Sequence, residues 1–286
     1  MAAEWCKGEK MSGFIEMLNK IRPEGAPPID FGGNPQSAKD YLQWQINNYN
    51  SMKKAPNGGY DCQKCFNRGY FATENNGEFV LKKCECVTIR EQMQNAKNSG
   101  FGDMLDRYTF ENYKADAEWQ KKIVFGAKHY CQQETLPWFF IGGQPGAGKS
   151  HICTATATTL LKQGKVVKYI LWRDFFHKAE AYRFDYEKYS REIEKIGNVE
   201  VLVIDDFLKG IDSAKQGSML EIAFDLINYR YNNKKATIIS SEHRLSGIEN
   251  LDRALHGRII ERCGSYCISI KEDDLKNYRK HGRAKE

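Results

Sequence analysis

The stretch "FFIGGQPGAGKSHIC", residues 139–153, limits the possible folds of this chain more than any other. Gly143 is followed by four residues and then by Gly148, Lys149 and Ser150. The apolar run before it, "WFFIGG", reads as a strand, and residues 151–163 read as a helix. The spacing therefore falls where a strand turns into a helix, the setting of a phosphate-binding P-loop. Glycines let backbone N–H groups close around phosphate oxygens, and the helix N-terminus adds a positive dipole end. Lys149 is placed to reach β and γ phosphates and Ser150 to ligate Mg²⁺. Gln144, Pro145, Gly146, Ala147 and His151 complete the candidate nucleotide-contacting set, so ATP and Mg²⁺ are the expected ligands.

From Trp138 onward, short β-rich runs alternate with helical stretches: "WFFIGG", "VVKYILW", "VEVLVIDDF", "ATIISSE" and "CISIKE". Near-continuous apolar strands of this kind fit a parallel sheet buried on both faces. The expected fold class is α/β, a five-stranded parallel P-loop sheet, with a small helical and metal-binding module ahead of it.

Asp205 and Asp206 follow four apolar residues in "VLVIDDF", 56 positions after Lys149. A carboxylate at the end of a buried strand beside a P-loop is where a second Mg²⁺ contact is expected, and Asp205 is the better candidate. Asp206 falls where many such ATPases carry a water-activating Glu, and its shorter side chain implies slow hydrolysis. The strand "ATIISSE" ends in Ser240, Ser241 and Glu242, with Ser241 or Glu242 expected to sense or orient the attacking water. "ALHGRIIERCG" offers Arg258 and Arg262, four apart on one predicted helix. Arginine at a subunit edge can reach a neighbour's γ-phosphate.

Cys62 and Cys65 are separated by two residues and Cys84 and Cys86 by one, with 18 residues between the pairs. The intervening "FNRGYFATENNGEFVLKK" reads as a hairpin with "NNG" at its tip. Two close pairs can converge as four thiolates around Zn²⁺; the alternatives are two disulfides, which a reducing compartment disfavours, and an iron–sulfur cluster, which four cysteines permit. With every ligand position filled by protein, the metal would be structural. A module this small buries little apolar area, and structural zinc supplies about 10–16 kcal/mol of apparent binding energy.

The chain of 286 residues is long enough for one α/β core and a smaller appendage. The expected organisation is an N-terminal helical region over 1–60, a zinc module over 61–95, a helical bridge over 96–136 and the ATPase domain over 137–286. No apolar run approaches a membrane span and the first residues lack a signal-peptide block, so a cytoplasmic protein without membrane contact is expected. Lys and Arg number 43 against 37 Asp and Glu, a mild excess that permits a nucleic-acid partner without requiring one. With 44 residues after Glu242, a helical lid followed by a DNA-reading helix-turn-helix is not expected.

Together, "CQKCFNRGYF" with "CEC", "YTFENYK", "GGQPGAGKSHI", "VLVIDDF", "LINYRYNNKKATIISSE" and "GRIIERC" resemble the bacterial helicase loaders of the DnaC and DnaI type and their phage-encoded relatives, which are AAA+ ATPases without a lid domain. The resemblance covers residues 60–286. It implies that Arg262 is an arginine finger and that Arg279 lies near a second sensor. It also implies a hexameric replicative helicase and single-stranded DNA as partners, an ATP-dependent homo-oligomer, and ATP as a switch. The family often has Asn where this chain has Glu242. A transposition helper ATPase of the IstB type, which shares the lidless core, and a zinc-containing nucleic-acid adaptor with structural ATP are the rival readings.

Overall fold

The computed structural model describes residues 38–54, 60–210 and 213–278. These divide into two compact units, 38–54 with 63–84, and 60–62 with 85–278. The expected helical candidate at Phe14–Ile21 lies outside the described residues.

In the smaller unit, helix α1 (Ala38–Ser51) presents Leu42 and Ile46 to Ala72 on the hairpin β1 (Tyr70–Asn75) and β2 (Glu78–Lys83). Asn76 and Gly77, both at positive φ (52° and 80°), make the two-residue turn expected of "NNG". The Asn50 side chain accepts from Ala72 N at 2.8 Å and donates to Ala72 O at 2.9 Å, mimicking a neighbouring strand. Arg68 closes the end of α1, donating to the carbonyls of Tyr49 and Asn50 with its guanidinium 4.3 Å from the Tyr49 ring centroid.

The larger unit is built on strands β3 (Phe139–Gly143), β4 (Val167–Leu171), β5 (Val201–Phe207), β6 (Ala236–Ser241) and β7 (Cys267–Ile270). They are all parallel, in the order β4-β5-β6-β3-β7. Alternate residues along each strand serve opposite faces. Phe139, Ile141, Val201, Val203 and Ile238 enter one core with α2 (Glu85–Ala96), α3 (Met104–Arg107), α4 (Glu118–Tyr130) and α5 (Lys149–Lys162). Trp138, Phe140, Leu202, Ile204 and Ile239 enter the other with α6 (Trp172–Tyr182), α7 (Tyr186–Gly197), α8 (Gln216–Asn232), α9 (Leu245–Leu251) and α10 (Arg253–Cys263). This is the parallel sheet covered on both faces that the strand composition predicts. Helix α2 joins the larger unit because Ile89, Met93 and Ala96 belong to its core.

Two details position the site. Helix α5 is buried along nearly its whole length, and its middle, residues 154–159, is built of Ala and Thr rather than large side chains. Thr156, Thr158 and Thr159 satisfy their hydroxyls on carbonyls one turn back at 2.8–2.9 Å, so the polar helix fits inside. Strand β5 carries an extra residue: Ile204 pairs with Ile239 but Phe207 with Ser241. The bulge puts Asp206 at φ 55° and separates the directions of Asp205 and Asp206 at the carboxyl end of the sheet. That end, beside the internal strand β3, is where open α/β sheets bind ligands.

On the opposite face, the fully buried Arg230 replaces a carboxylate partner with backbone. It donates to Gly197 O (2.7 Å), Val199 O (3.0 Å), Ala236 O and Thr237 Oγ1 (2.9 Å), holding the end of α7 against β6. Burial pushes its guanidinium down to about 9, which leaves it charged at neutral pH.

Candidate functional site

The turn from β3 into α5 places Gly143, Gly146 and Gly148 all at positive φ. Gly143 has φ 132°, and a Cβ there would lie 2.2 Å from the Ile270 carbonyl oxygen. Gly148 has φ 80°, and a Cβ there would meet the Tyr113 ring at 2.9 Å. Just after them, Lys149 turns back over the loop and donates to Gly143 O at 2.9 Å and Gln144 O at 2.8 Å. Burial holds its ammonium below the ordinary lysine range, opposed by the nearby Glu242 and Asp206 carboxylates.

Asp205 accepts three hydroxyl hydrogen bonds: Ser150 Oγ at 2.9 Å, Tyr169 Oη at 2.8 Å and Ser240 Oγ. The first brings together the two side chains expected to share Mg²⁺. A hydroxyl and a buried carboxylate beside a phosphate loop are hard oxygen donors that fit this ion. Ser240 Oγ also accepts from the Asp206 N–H at 2.9 Å, so one serine organises both acids. Asp206 and Glu242 converge on a single cation, Lys209, at 2.9 and 2.8 Å. Burial works against the Lys209 charge, but Glu242 and Asp206 outweigh it and hold its ammonium above the usual range.

These groups line a cavity of about 350 Å³. Its walls include Pro145, Gly146, Gly148, Lys149, Ser150, His151, Asp206, Lys209 and Glu242. The other side is aromatic: Tyr108 stacks on His151 at 4.8 Å, and Tyr113 meets the same ring edge-on at 5.1 Å. His151 Nε2 lies 2.7 Å from the Thr109 carbonyl oxygen, which fixes that nitrogen as a donor, and burial lowers its tendency to protonate. The Tyr113 hydroxyl is buried without a hydrogen-bond partner among the described residues. The C-terminal segment crosses the loop: Tyr278 N–H donates to Gly146 O at 2.9 Å, while the Gln144 amide pairs with both backbone groups of Asp273 at 2.9 and 2.6 Å.

The structure distributes the sensor-strand residues differently from the expectation for Ser241. Successive side chains on β6 point to opposite faces. Ser240 meets the acids, whereas Ser241 is fully buried, donates to Phe207 O at 2.7 Å and accepts from His243 N at 3.1 Å. Ser241 therefore braces β5 and does not line the cavity. Arg262 is absent from the cavity walls, and its Nε is buried with no hydrogen-bond partner among the described residues. Arg258 is engaged, donating to Asn228 Oδ1 at 2.9 Å and lying 4.5 Å from the Phe224 ring centroid. Arg279 lies outside the described residues. Ala147 is buried inside the loop turn and supplies backbone only.

Residues 87–285 match the family described as IstB-like ATP binding protein. The chain belongs to this family. The five-stranded parallel sheet and its P-loop fall within the matched residues. The chain's relatives include the phage-like element PBSX protein XkdC of Bacillus subtilis (strain 168), 27% identical over 225 residues, covering 74% of this chain and 83% of the relative. Another is the replicative helicase loader DnaC of Escherichia coli (strain K12), 26% identical over 175 residues, covering 60% of this chain and 69% of the relative. A solved DnaC helicase loader superposes with TM-score 0.47 at 21% identity, covering 59% of this chain and 98% of that one.

The family match begins after the cysteine pairs. Cys62, Cys65, Cys84 and Cys86 are buried, and their sulfurs lie within 4.8 Å of one another. Left-handed Phe66, Asn67 and Gly69 (φ 48°, 67° and 82°) turn the chain tightly after Cys65, so that Gly69 N–H donates to Cys65 Sγ at 3.3 Å. An all-sulfur set with an N–H aimed at one sulfur fits a tetrahedral thiophilic ion. Among the described residues, no helix is long and apolar enough to cross a membrane.

Sequence reasoning missed Tyr169, Ser240 as the organiser of the acids, and Lys209. Tyr169 reads as one more core residue in "VVKYILW". Lys209 follows the acid pair by only three positions, but nothing in the spacing shows that the chain doubles back.

Proposed function

We propose that the chain is an ATP-dependent loader that places a hexameric replicative helicase on single-stranded DNA, with ATP acting as a switch. One observation carries the reading: Ser150 and Asp205, joined at 2.9 Å beside the P-loop, form a Mg²⁺ pocket next to a second acid, Asp206. In this reading Lys149, the loop backbone and Ser150 hold MgATP, and Asp206 orients the attacking water. Magnesium, when bound, neutralises phosphate charge. Arg262 acts on a neighbour's nucleotide in a homo-oligomer, and Arg279 contributes a second sensor. Hydrolysis is slow and dependent on DNA or partner, because Asp206 is short and already paired with Lys209. The cysteine cluster holds structural Zn²⁺, and the protein is cytoplasmic. Support for the helicase as partner comes from relatives named replicative helicase loaders.

The family description favours one other reading, an IstB-type transposition helper. Capture of purified replicative helicase by the full chain, with and without MgATP, separates them. Nucleotide-sensitive capture supports the loader. Absence of capture together with tight binding to duplex DNA supports the helper.

A further inference from the structure

The established features of a P-loop site leave Lys209 unexplained. Its ammonium lies 2.9 Å from Asp206 Oδ2 and 2.8 Å from Glu242 Oε1, on the wall of the same cavity as Lys149. An exposed ion pair is ordinarily incidental, but this one is built into the backbone. Asp206 and Leu208 are both left-handed, at φ 55° and 62°, and Gly210 follows at 69°. A leucine seldom adopts that conformation, and Leu208 holds it with its side chain buried at 3% exposure. Phe207, fully buried in the sheet core, anchors the turn on its other side, and Lys209 N–H closes it on Asp206 O at 3.1 Å. The turn projects Lys209 back over the carboxyl end of β5.

Charge makes the consequence specific. The cavity gathers two carboxylates, Asp206 and Glu242, on the side where a P-loop ATPase orients water towards the terminal phosphate. A triphosphate brings its additional negative charge to that side, and a diphosphate does not. Without Lys209, two unpaired carboxylates would repel the incoming phosphate in a partly desolvated pocket, where charges are weakly screened. We propose that Lys209 is the residue through which the site distinguishes nucleoside triphosphate from diphosphate, a positioning residue that holds Asp206 and Glu242 together and neutralises them so that the terminal phosphate is admitted. The proposal rests on the nucleotide-site reading above.

The test is titration of the full chain with MgADP and with a non-hydrolysable MgATP analogue. Unaltered protein is compared with Lys209→Met, which keeps a similar unbranched stem without the charge, and with Lys209→Met combined with Glu242→Gln. The expected result for Lys209→Met is a loss of about tenfold or more for the triphosphate analogue and less than about twofold for ADP. Adding Glu242→Gln should recover most of the triphosphate affinity, because it removes one of the charges left unpaired. A role limited to folding would move both nucleotides together and would not be rescued. Equal loss for both nucleotides, no loss for either, or a deeper triphosphate defect in the double variant would overturn the proposal. If the unaltered chain binds neither nucleotide, the nucleotide-site reading itself falls. If it binds both and Lys209→Met matches it, only the assignment to Lys209 falls.

Discussion

The Tyr169 hydroxyl donates a 2.8 Å hydrogen bond to Asp205 Oδ2, tying the edge strand β4 to the acid that faces Ser150. Burial, followed by the Asp205 charge, pushes the phenol far above its usual range, so it stays a donor at every physiological pH. Tyr169→Phe removes one of three donors from a buried carboxylate and should lower stability by about 1–3 kcal/mol. Chemical denaturation checks this, with an unchanged far-UV spectrum as control. No change in midpoint would mean that Ser150 and Ser240 already satisfy Asp205.

In the proposed reading, Lys149→Ala deletes a phosphate contact while leaving the core intact. ATP affinity should fall by at least an order of magnitude with the melting temperature nearly unchanged. Retained micromolar binding would refute the P-loop assignment.

The same lysine predicts a pH dependence. Burial holds its free-state pKa below 10.5, and bound phosphate raises it, so nucleotide binding takes up a proton at alkaline pH. Affinity should be flat below the depressed pKa and fall as pH rises through it, by up to about tenfold per pH unit. Folding of the free protein runs the other way. The folded state releases this proton before the unfolded state does, so Lys149 makes the free fold relatively more stable as pH rises through that window. Calorimetric titration in buffers of different ionisation enthalpy detects the proton uptake, and binding with no proton uptake as pH rises to the ordinary lysine value of 10.5 would contradict it.

Metal analysis of protein purified without chelator should find one Zn²⁺ per chain, lost when Cys62 and Cys86 are both replaced by Ser. Iron in its place, or no metal, would remove zinc from the assignment.

Arg262→Ala should bind ATP normally yet hydrolyse it more slowly, by on the order of 10³-fold. Mixing this variant with Asp206→Asn should partly restore turnover, because some interfaces then pair an intact arginine with an intact acid. Mixtures that gain nothing would make Arg262 a structural residue.

The parts legible in sequence are those whose physics is local. The P-loop declares itself because glycine, lysine and serine must fall within eight consecutive residues, 143–150. The parallel sheet is legible because strands buried on both faces have no polar alternation to confuse. The turn at Asn76-Gly77 follows from the conformations those two residues tolerate. What could not be read depends on parity between strands. Whether Ser240 or Ser241 faces the acids is settled by the β5 bulge, one extra residue in a different strand, and local composition does not reveal it. Tyr169 and Lys209 reach the site only because β4 lies beside β5 and the chain reverses after Phe207. No motif spacing encodes either relationship.

The contacts of Asp273 and Tyr278 with Gln144 and Gly146 give the chain a mechanical character. The segment is fastened directly to the phosphate loop, with Tyr278 Oη also donating to Lys114 O on the opposite wall of the cavity. A pull applied to the chain just beyond Tyr278 is therefore delivered first to Gly146 and Lys114, and only afterwards to the sheet. The mouth of the cavity is thus closed on one side by a strap and not by the sheet.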